Sequence, residues 1–360
     1  MILNSSLALL ISIGLILILV RTKLHVSFAV LCGCVILIIF TIPFKSVPVL
    51  LLDSLLDKQT LTLLVVVPCT MVFAKLMEVK GLLTSLATVL EGIGPRIAVH
   101  AIPVFIGLVP MPAGALVAAT AVNDISKKLN LRPEQVTFIN YWFRHIWEFS
   151  LPIYSTVIIT SSVLGIPMGT LVKTLAPMSL LAIVLGLIVS YRMVKNRPPQ
   201  NGRIKEPFKV VVYDFLKAAW PIVLLVVLIF SKVDALIAFP VTLILLMVQQ
   251  RVKWSEMKKP LKYGLNPLIL LLLLAIMLYK TTVENAGVAA NLVTDMQLIG
   301  LPPVLILAGL PFVMGLTLGY APAMAGIALP LLVSFIMDGA EIHSGSLIIA
   351  YTSGIVGQLL

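Results

Sequence analysis

The sequence predicts an all-α polytopic membrane protein of about nine or ten transmembrane helices, arranged as two inverted repeats that each carry a re-entrant helical hairpin. Three observations predict it. Apolar runs long enough to cross a bilayer recur from end to end, beginning with "MILNSSLALLISIGLILILV" (1–20). Two of these runs are interrupted at mid-length by Pro and Gly. The two interrupted runs also resemble each other, in order, at a nearly constant offset.

The chain has 360 residues, 60% of them hydrophobic and 11% charged. A soluble domain has no means of hiding that much apolar surface. A β-barrel would show short alternating segments, and "PLILLLLLAIML" (267–278) does not alternate. The formal net charge of +11 suggests a nucleic-acid partner only until the charges are located. Lys and Arg crowd 192–217 (Arg192, Lys195, Arg197, Arg203, Lys205, Lys209, Lys217) and 251–262 (Arg251, Lys253, Lys258, Lys259, Lys262). Short basic loops between apolar spans mark the cytoplasmic side, so the central loop 192–217 is expected there and no nucleic-acid partner is expected. Cys32, Cys34 and Cys69 lie in apolar runs without metal-ligand spacing and read as reduced core residues. The N-terminal run is too long for a cleaved signal and lacks a basic n-region, so it reads as the first span.

In order, the expected spans are 3–20, 26–43, 60–77, 139–164, 169–191, 218–231, 232–250, 265–282 and 345–360. Between the third and fourth lies "AIPVFIGLVPMPAGALVAATAV" (101–122), and after the eighth "LPFVMGLTLGYAPAMAGIALPLLVSF" (310–335). Pro110, Pro112 and Gly114 in the first, and Gly319 and Pro322 in the second, free backbone groups that hydrocarbon does not satisfy. A hairpin with its tip buried in protein resolves this, and an ordinary kinked span is the plainer alternative.

Pro103, Gly107 and Leu108 match Pro311, Gly315 and Leu316 at an offset of 208, and Ala113 and Ala115 match Ala321 and Ala323. Upstream, Glu78, Gly81 and Gly94 match Glu284, Gly287 and Gly300 at 206; downstream, Ile139 and Tyr141 match Ile349 and Tyr351 at 210. Charge bias places the two hairpins on opposite sides: "SKKLNLR" (126–132) falls inside and "MDGAEIHSG" (337–345) outside. The expected organisation is a first inverted repeat over 1–195, a basic cytoplasmic linker over 196–217 and a second repeat over 218–360. The first repeat has two spans after its hairpin and the second only one, so one further helix is expected beyond Leu360.

At "GLVPMPAGAL" (107–116) followed by "NYWFRHIWEF" (140–149), the chain resembles domain-of-unknown-function family 401 of prokaryotic integral membrane proteins. That family is grouped with the ion-transporter superfamily of gluconate, citrate, C4-dicarboxylate and lactate permeases. The resemblance implies a multi-pass carrier of the prokaryotic cell (inner) membrane that works by an elevator-like movement. Related carriers are often homodimers, and nothing in these residues shows a dimer interface. Dicarboxylate carriers have Ser-Asn-Thr at their hairpin tips, whereas here the tips read "PMPAG" and "GYAP", so no substrate is carried over.

The residues that invite a chemical reading are the charges of "NYWFRHIWEF", because charged groups inside a bilayer are costly. On a continuous helix Asn140, Arg144 and Glu148 share a face, and His145 and Glu148 are three apart. One reading turns this face to a transport cavity, where Arg144 attracts an anion and Glu148 or His145 exchanges a proton. A second makes Arg144 and Glu148 a structural pair. A third places the stretch at the interface, with Trp142 and Trp147 as belt aromatics. Pro152 is expected to break the helix and free carbonyls. At the hairpin tips, Pro110, Pro112, Ala113 and Gly114, and Gly319, Tyr320, Ala321 and Pro322, would let a ligand approach backbone N–H groups, or else would simply permit tight packing. Glu78 with Lys75, and Glu284 with Lys280, read as interfacial pairs.

The sequence thus points to a secondary active transporter moving a small organic anion with protons or sodium, with the lipid bilayer as its solvent and no cofactor or metal. A sodium/proton antiporter is the alternative, which the fixed charge of Arg144 disfavours. An intramembrane metal-dependent enzyme is remote, since there is no H-E-x-x-H and His25, His100 and His343 lack ligand spacing. No G-x-x-x-x-G-K-[ST] stretch for an ATP-driven pump occurs.

Overall fold

The computed structural model of the chain describes residues 5–91, 94–109, 114–194, 208–298, 300–339 and 341–360. The described residues are helical over most of their length, and they fall into two compact units, each discontinuous in sequence. One unit comprises 1–65, 155–174 and 265–360; the other comprises 66–154 and 175–264.

The elements run in order from α1 (Ser5–Arg21) and α2 (Val26–Thr41) to α3 (Val47–Leu56) and α4 (Lys58–Val79). Then come α5 (Leu82–Glu91), α6 (Pro95–Ile106), α7 (Gly114–Lys128) and α8 (Pro133–His145). The middle of the chain holds α9 (Ser155–Leu164), α10 (Met168–Val194), α11 (Phe208–Phe230), α12 (Ala235–Gln249) and α13 (Trp254–Gly264). The last part holds α14 (Pro267–Asn285), α15 (Val288–Leu298), α16 (Pro303–Leu318), α17 (Ala321–Leu331), the single turn α18 (Val333–Ile336) and α19 (Ser344–Leu359). A two-residue ribbon, β1 (Met337–Asp338) with β2 (Glu341–Ile342), joins α18 to α19. Among the described residues, Lys58–Val79, Met168–Val194 and Trp254–Asn285 are long and apolar enough to cross a membrane, and eight shorter helices are apolar.

Helix starts follow local chemistry. Asp57 caps α4 by accepting from the N–H groups of Gln59 (3.0 Å) and Thr60 (3.2 Å). Asp234 accepts from Leu236 at the head of α12, and Asn266 from Leu268 at the head of α14, both at 2.9 Å. These side chains satisfy donors that the first turn of a helix leaves open.

In the first unit, α17 is buried along its whole length from Ala321 to Leu331. It packs against α9, α14, α16 and α19. Its neighbour α16 lies on α19 at backbone distance: a Cβ on Gly315 would stand 2.1 Å from the Gly354 carbonyl oxygen, and one on Gly357 2.2 Å from that of Phe312. Small residues let helix backbones approach where no hydrophobic driving force separates protein from lipid. Lys280 pairs with Glu284 at 3.2 Å in this unit.

The second unit is built on the pair α6 and α7, with α8 packed across both. Its core gathers Val99, Ile102, Ile106, Val122, Ile139 and Phe143. Lys75 pairs with Glu78 at 2.6 Å, and Lys80 reaches Glu256 of α13 at 2.8 Å.

Three elements differ from the expected spans. Residues 47–56 form α3, ten residues long and too short for a span, which is why apolarity alone passed over it. The basic stretch 251–262 is largely the amphipathic α13, which buries Met257, Pro260 and Gly264. Residues 139–164 are two helices instead of one, with α8 stopping at His145 and α9 starting at Ser155. Most of the 196–217 linker, like the first hairpin tip, lies outside the described residues.

Candidate functional site: a broken helix and its charged cluster

The break between α8 and α9 has a local cause. Pro152 lacks an N–H and disfavours a helical conformation at Leu151 before it. The chain leaves the α-helix at Ile146, tightens into one 3₁₀ turn over Ile146–Phe149, and closes with Leu151 N–H on the Trp147 carbonyl at 2.9 Å. Glu148 therefore sits on the 3₁₀ turn. It does not share an α-helical face with Arg144, contrary to the expectation from spacing four apart.

The turn buries a charged cluster. Asn140, Arg144, His145 and Glu148 are all less than a tenth exposed. Arg144 Nη1 lies 3.0 Å from His145 Nε2, and His145 Nε2 lies 3.9 Å from Glu148 Oε1. His145 Nδ1 is 2.6 Å from the Tyr141 carbonyl. A carbonyl only accepts, so Nδ1 carries the hydrogen, and Nε2 of the neutral ring accepts from the Arg144 guanidinium. Arg144 and Glu148 thus both lie near the Nε2 edge of the imidazole, the guanidinium within hydrogen-bond distance and the carboxylate beyond it.

The C-terminal end of α6 is fastened to this break. A Cβ on Gly107 would stand 2.4 Å from the Arg144 carbonyl oxygen, so this end lies on the backbone of the cluster itself. Tyr154 Oη donates to the Gly107 carbonyl at 2.6 Å, and Trp147 Nε1 donates to the Val104 carbonyl at 2.7 Å. Across the break, Ser179 of α10 donates to the Ile146 carbonyl at 2.7 Å and contacts Ser150 Oγ at 2.7 Å. Each of these carbonyls belongs to the end of α6 or to the break, and a side chain satisfies it.

The predicted site residues are placed as follows. Asn140, Arg144, His145 and Glu148 come together in the second unit. Gly319, Tyr320, Ala321 and Pro322 lie in the other unit. There Gly319 ends α16 with a left-handed φ of 57°, Tyr320 is 38% exposed, and Ala321 and Pro322 open the buried α17. Pro110, Pro112 and Ala113 lie outside the described residues, and Gly114 is described only as the first residue of α7. Sequence reasoning missed Tyr154, Ser179 and the bonding role of Trp147. "SLPIY" marked the break, but nothing in the string shows which donors reach freed carbonyls. Trp142 likewise turns inward in part, donating to the Ala182 carbonyl at 2.8 Å across the gap that Gly186 leaves.

A chain whose described residues are mostly helical, with several apolar helices and a charged cluster buried at a helix break, is an all-α membrane protein. It belongs to the family described as Protein of unknown function (DUF401), whose model matches residues 3–360. No curated protein matches the chain.

Proposed function

We propose that the chain is a secondary active transporter that moves a small organic anion across a prokaryotic cell membrane, coupled to protons or sodium, with the segment 192–217 on the cytoplasmic side. The observation that carries the reading is the buried Arg144–His145–Glu148 cluster at a helix break that also anchors a hairpin arm. A fixed guanidinium suits an anionic substrate, and a carboxylate and an imidazole beside it offer sites for a coupling proton. Broken helices expose the backbone ligands that ion-coupled carriers use.

The two-repeat organisation is part of the proposal, and several paired features support it. The series α4 to α8 has a counterpart in α14 to α17 with α19. Gly81 and Gly287, at matched positions, have left-handed φ of 69° and 62°. Gly107 meets the Arg144 carbonyl as Gly315 meets that of Gly354, and Gly354 stands at the 210 offset from Arg144. At that same offset, Glu148 corresponds to Gln358, so one repeat carries the charge and the other a neutral amide.

The test is transient current in proteoliposomes on jumps of gluconate, citrate, lactate and succinate, at two pH values, with and without sodium. A current with one anion that Glu148→Gln loses is the expected result. Silence with every anion, together with a current on sodium or pH jumps alone, gives the site to a sodium/proton antiporter.

A further inference from the structure

We infer that the second unit holds a site for the phosphodiester headgroup of an anionic phospholipid, in the groove between the N-terminal end of α8 and the C-terminal end of α10. The inference concerns the opposite end of α8 from the charged cluster and stands independently of the transport reading. The groove has a volume of about 370 Å³ and is lined by Arg132, Glu134, Gln135, Val189, Arg192 and Met193. Arg132 immediately precedes α8, and Arg192 lies in the last turn of α10, so two separate elements each contribute one arginine to the lining of the same groove. Among the described residues, neither arginine is in an ion pair. The positive end of the α8 dipole adds to the attraction.

The net charge of the groove selects the anion. Two arginines and one glutamate leave a single positive charge, which matches a phosphodiester and undermatches a phosphate dianion. The surface leading away from the groove selects the source. Val189 of the groove continues at helical spacing into Leu185 and Leu181, flanked by Ile188, Val184 and Leu180, and all six are 44–62% exposed. From Leu180 to Arg192 this ladder covers about 18 Å at a helical rise of about 1.5 Å per residue. One leaflet of a bilayer is about 15 Å of hydrocarbon. Acyl chains can therefore lie along α10 while the phosphate sits between Arg132 and Arg192. A free phosphate would use only the polar end. Basic pockets between membrane helices bind anionic headgroups by this chemistry.

Native mass spectrometry of the full chain in detergent, titrated with short-chain phosphatidylglycerol, short-chain phosphatidylcholine or inorganic phosphate, tests the site. The expected result is tighter binding of phosphatidylglycerol than phosphatidylcholine, weakened roughly fivefold by Arg132→Gln and again by Arg192→Gln. Arg192→Lys keeps the charge and should retain most of the preference, and Lys127→Gln, outside the groove, should retain all of it. Unfolding midpoints without lipid identify any variant that has simply misfolded, and the other of Arg132→Gln and Arg192→Gln then carries the test. The inference is overturned if the two lipids bind alike, if Lys127→Gln erases the preference as much as the groove variants do, or if inorganic phosphate displaces phosphatidylglycerol at comparable concentration.

Discussion

Tyr154 is the side chain on which the end of α6 most directly depends, because its hydroxyl satisfies the Gly107 carbonyl at a buried position. Tyr154→Phe keeps the ring and orphans the carbonyl. It should cost about 1–3 kcal/mol, seen as a lower unfolding midpoint in detergent. An unchanged midpoint would mean that water already serves that carbonyl. On α13 of the same unit, the Lys80 ammonium, together with the Lys253 backbone N–H, holds the Glu256 carboxyl below the usual carboxylate range. A depressed carboxylate stabilises the fold above its unfolded pKa, and that stabilisation is lost as the pH falls through the folded one. Wild type should therefore lose more stability than Glu256→Gln below about pH 4, as acid titration of the unfolding midpoint would show. Charge at Arg144, His145 and Glu148 was legible in the string because ionisable residues are rare in apolar runs. The partners that satisfy the neighbouring backbone were not legible, since a Tyr, a Trp and a Ser look alike whether they bond a carbonyl or fill space.

At the scale of elements, interruptions in the pattern proved more informative than the pattern itself. Pro152 foretold a break, yet the chain leaves the α-helix six residues before it, and the intervening 3₁₀ turn moved Glu148 off the expected face. Apolar length found the long helices and missed α3 and α13, one too short and the other too basic to register as a membrane element. Glycine carries a different kind of information. Gly309, Gly315 and Gly357 read alike in sequence, but an added Cβ meets nothing at Gly309 and a backbone oxygen at the other two. Gly357→Ala should therefore part α16 from α19 and cost about 1–3 kcal/mol. Gly309→Ala, lying inside a helix, should be neutral or stabilising by up to about 1 kcal/mol. Thermal unfolding of the pair decides the matter, and equal midpoints would contradict the packing.

For the whole molecule, the proposed inverted repeats demand that the two hairpins enter from opposite faces of the bilayer. Lys128 and Glu341 are both exposed, one just after each hairpin. In a background lacking Cys32, Cys34 and Cys69, Lys128→Cys and Glu341→Cys should label with an impermeant maleimide from opposite sides of right-side-out vesicles. Labelling from the same side would remove the inversion. The fastening of the first hairpin arm bears on any such motion. Three hydrogen bonds, from Trp147 and Tyr154 to the arm and from Ser179 to the break, close carbonyls that lipid would leave bare. Sliding the arm along the break would open two of them at once, so the arm has no independent stroke. In the proposed carrier, any change in the depth of the cluster would take Val104 to Gly107 along as passengers, so access to the proposed site would hinge elsewhere.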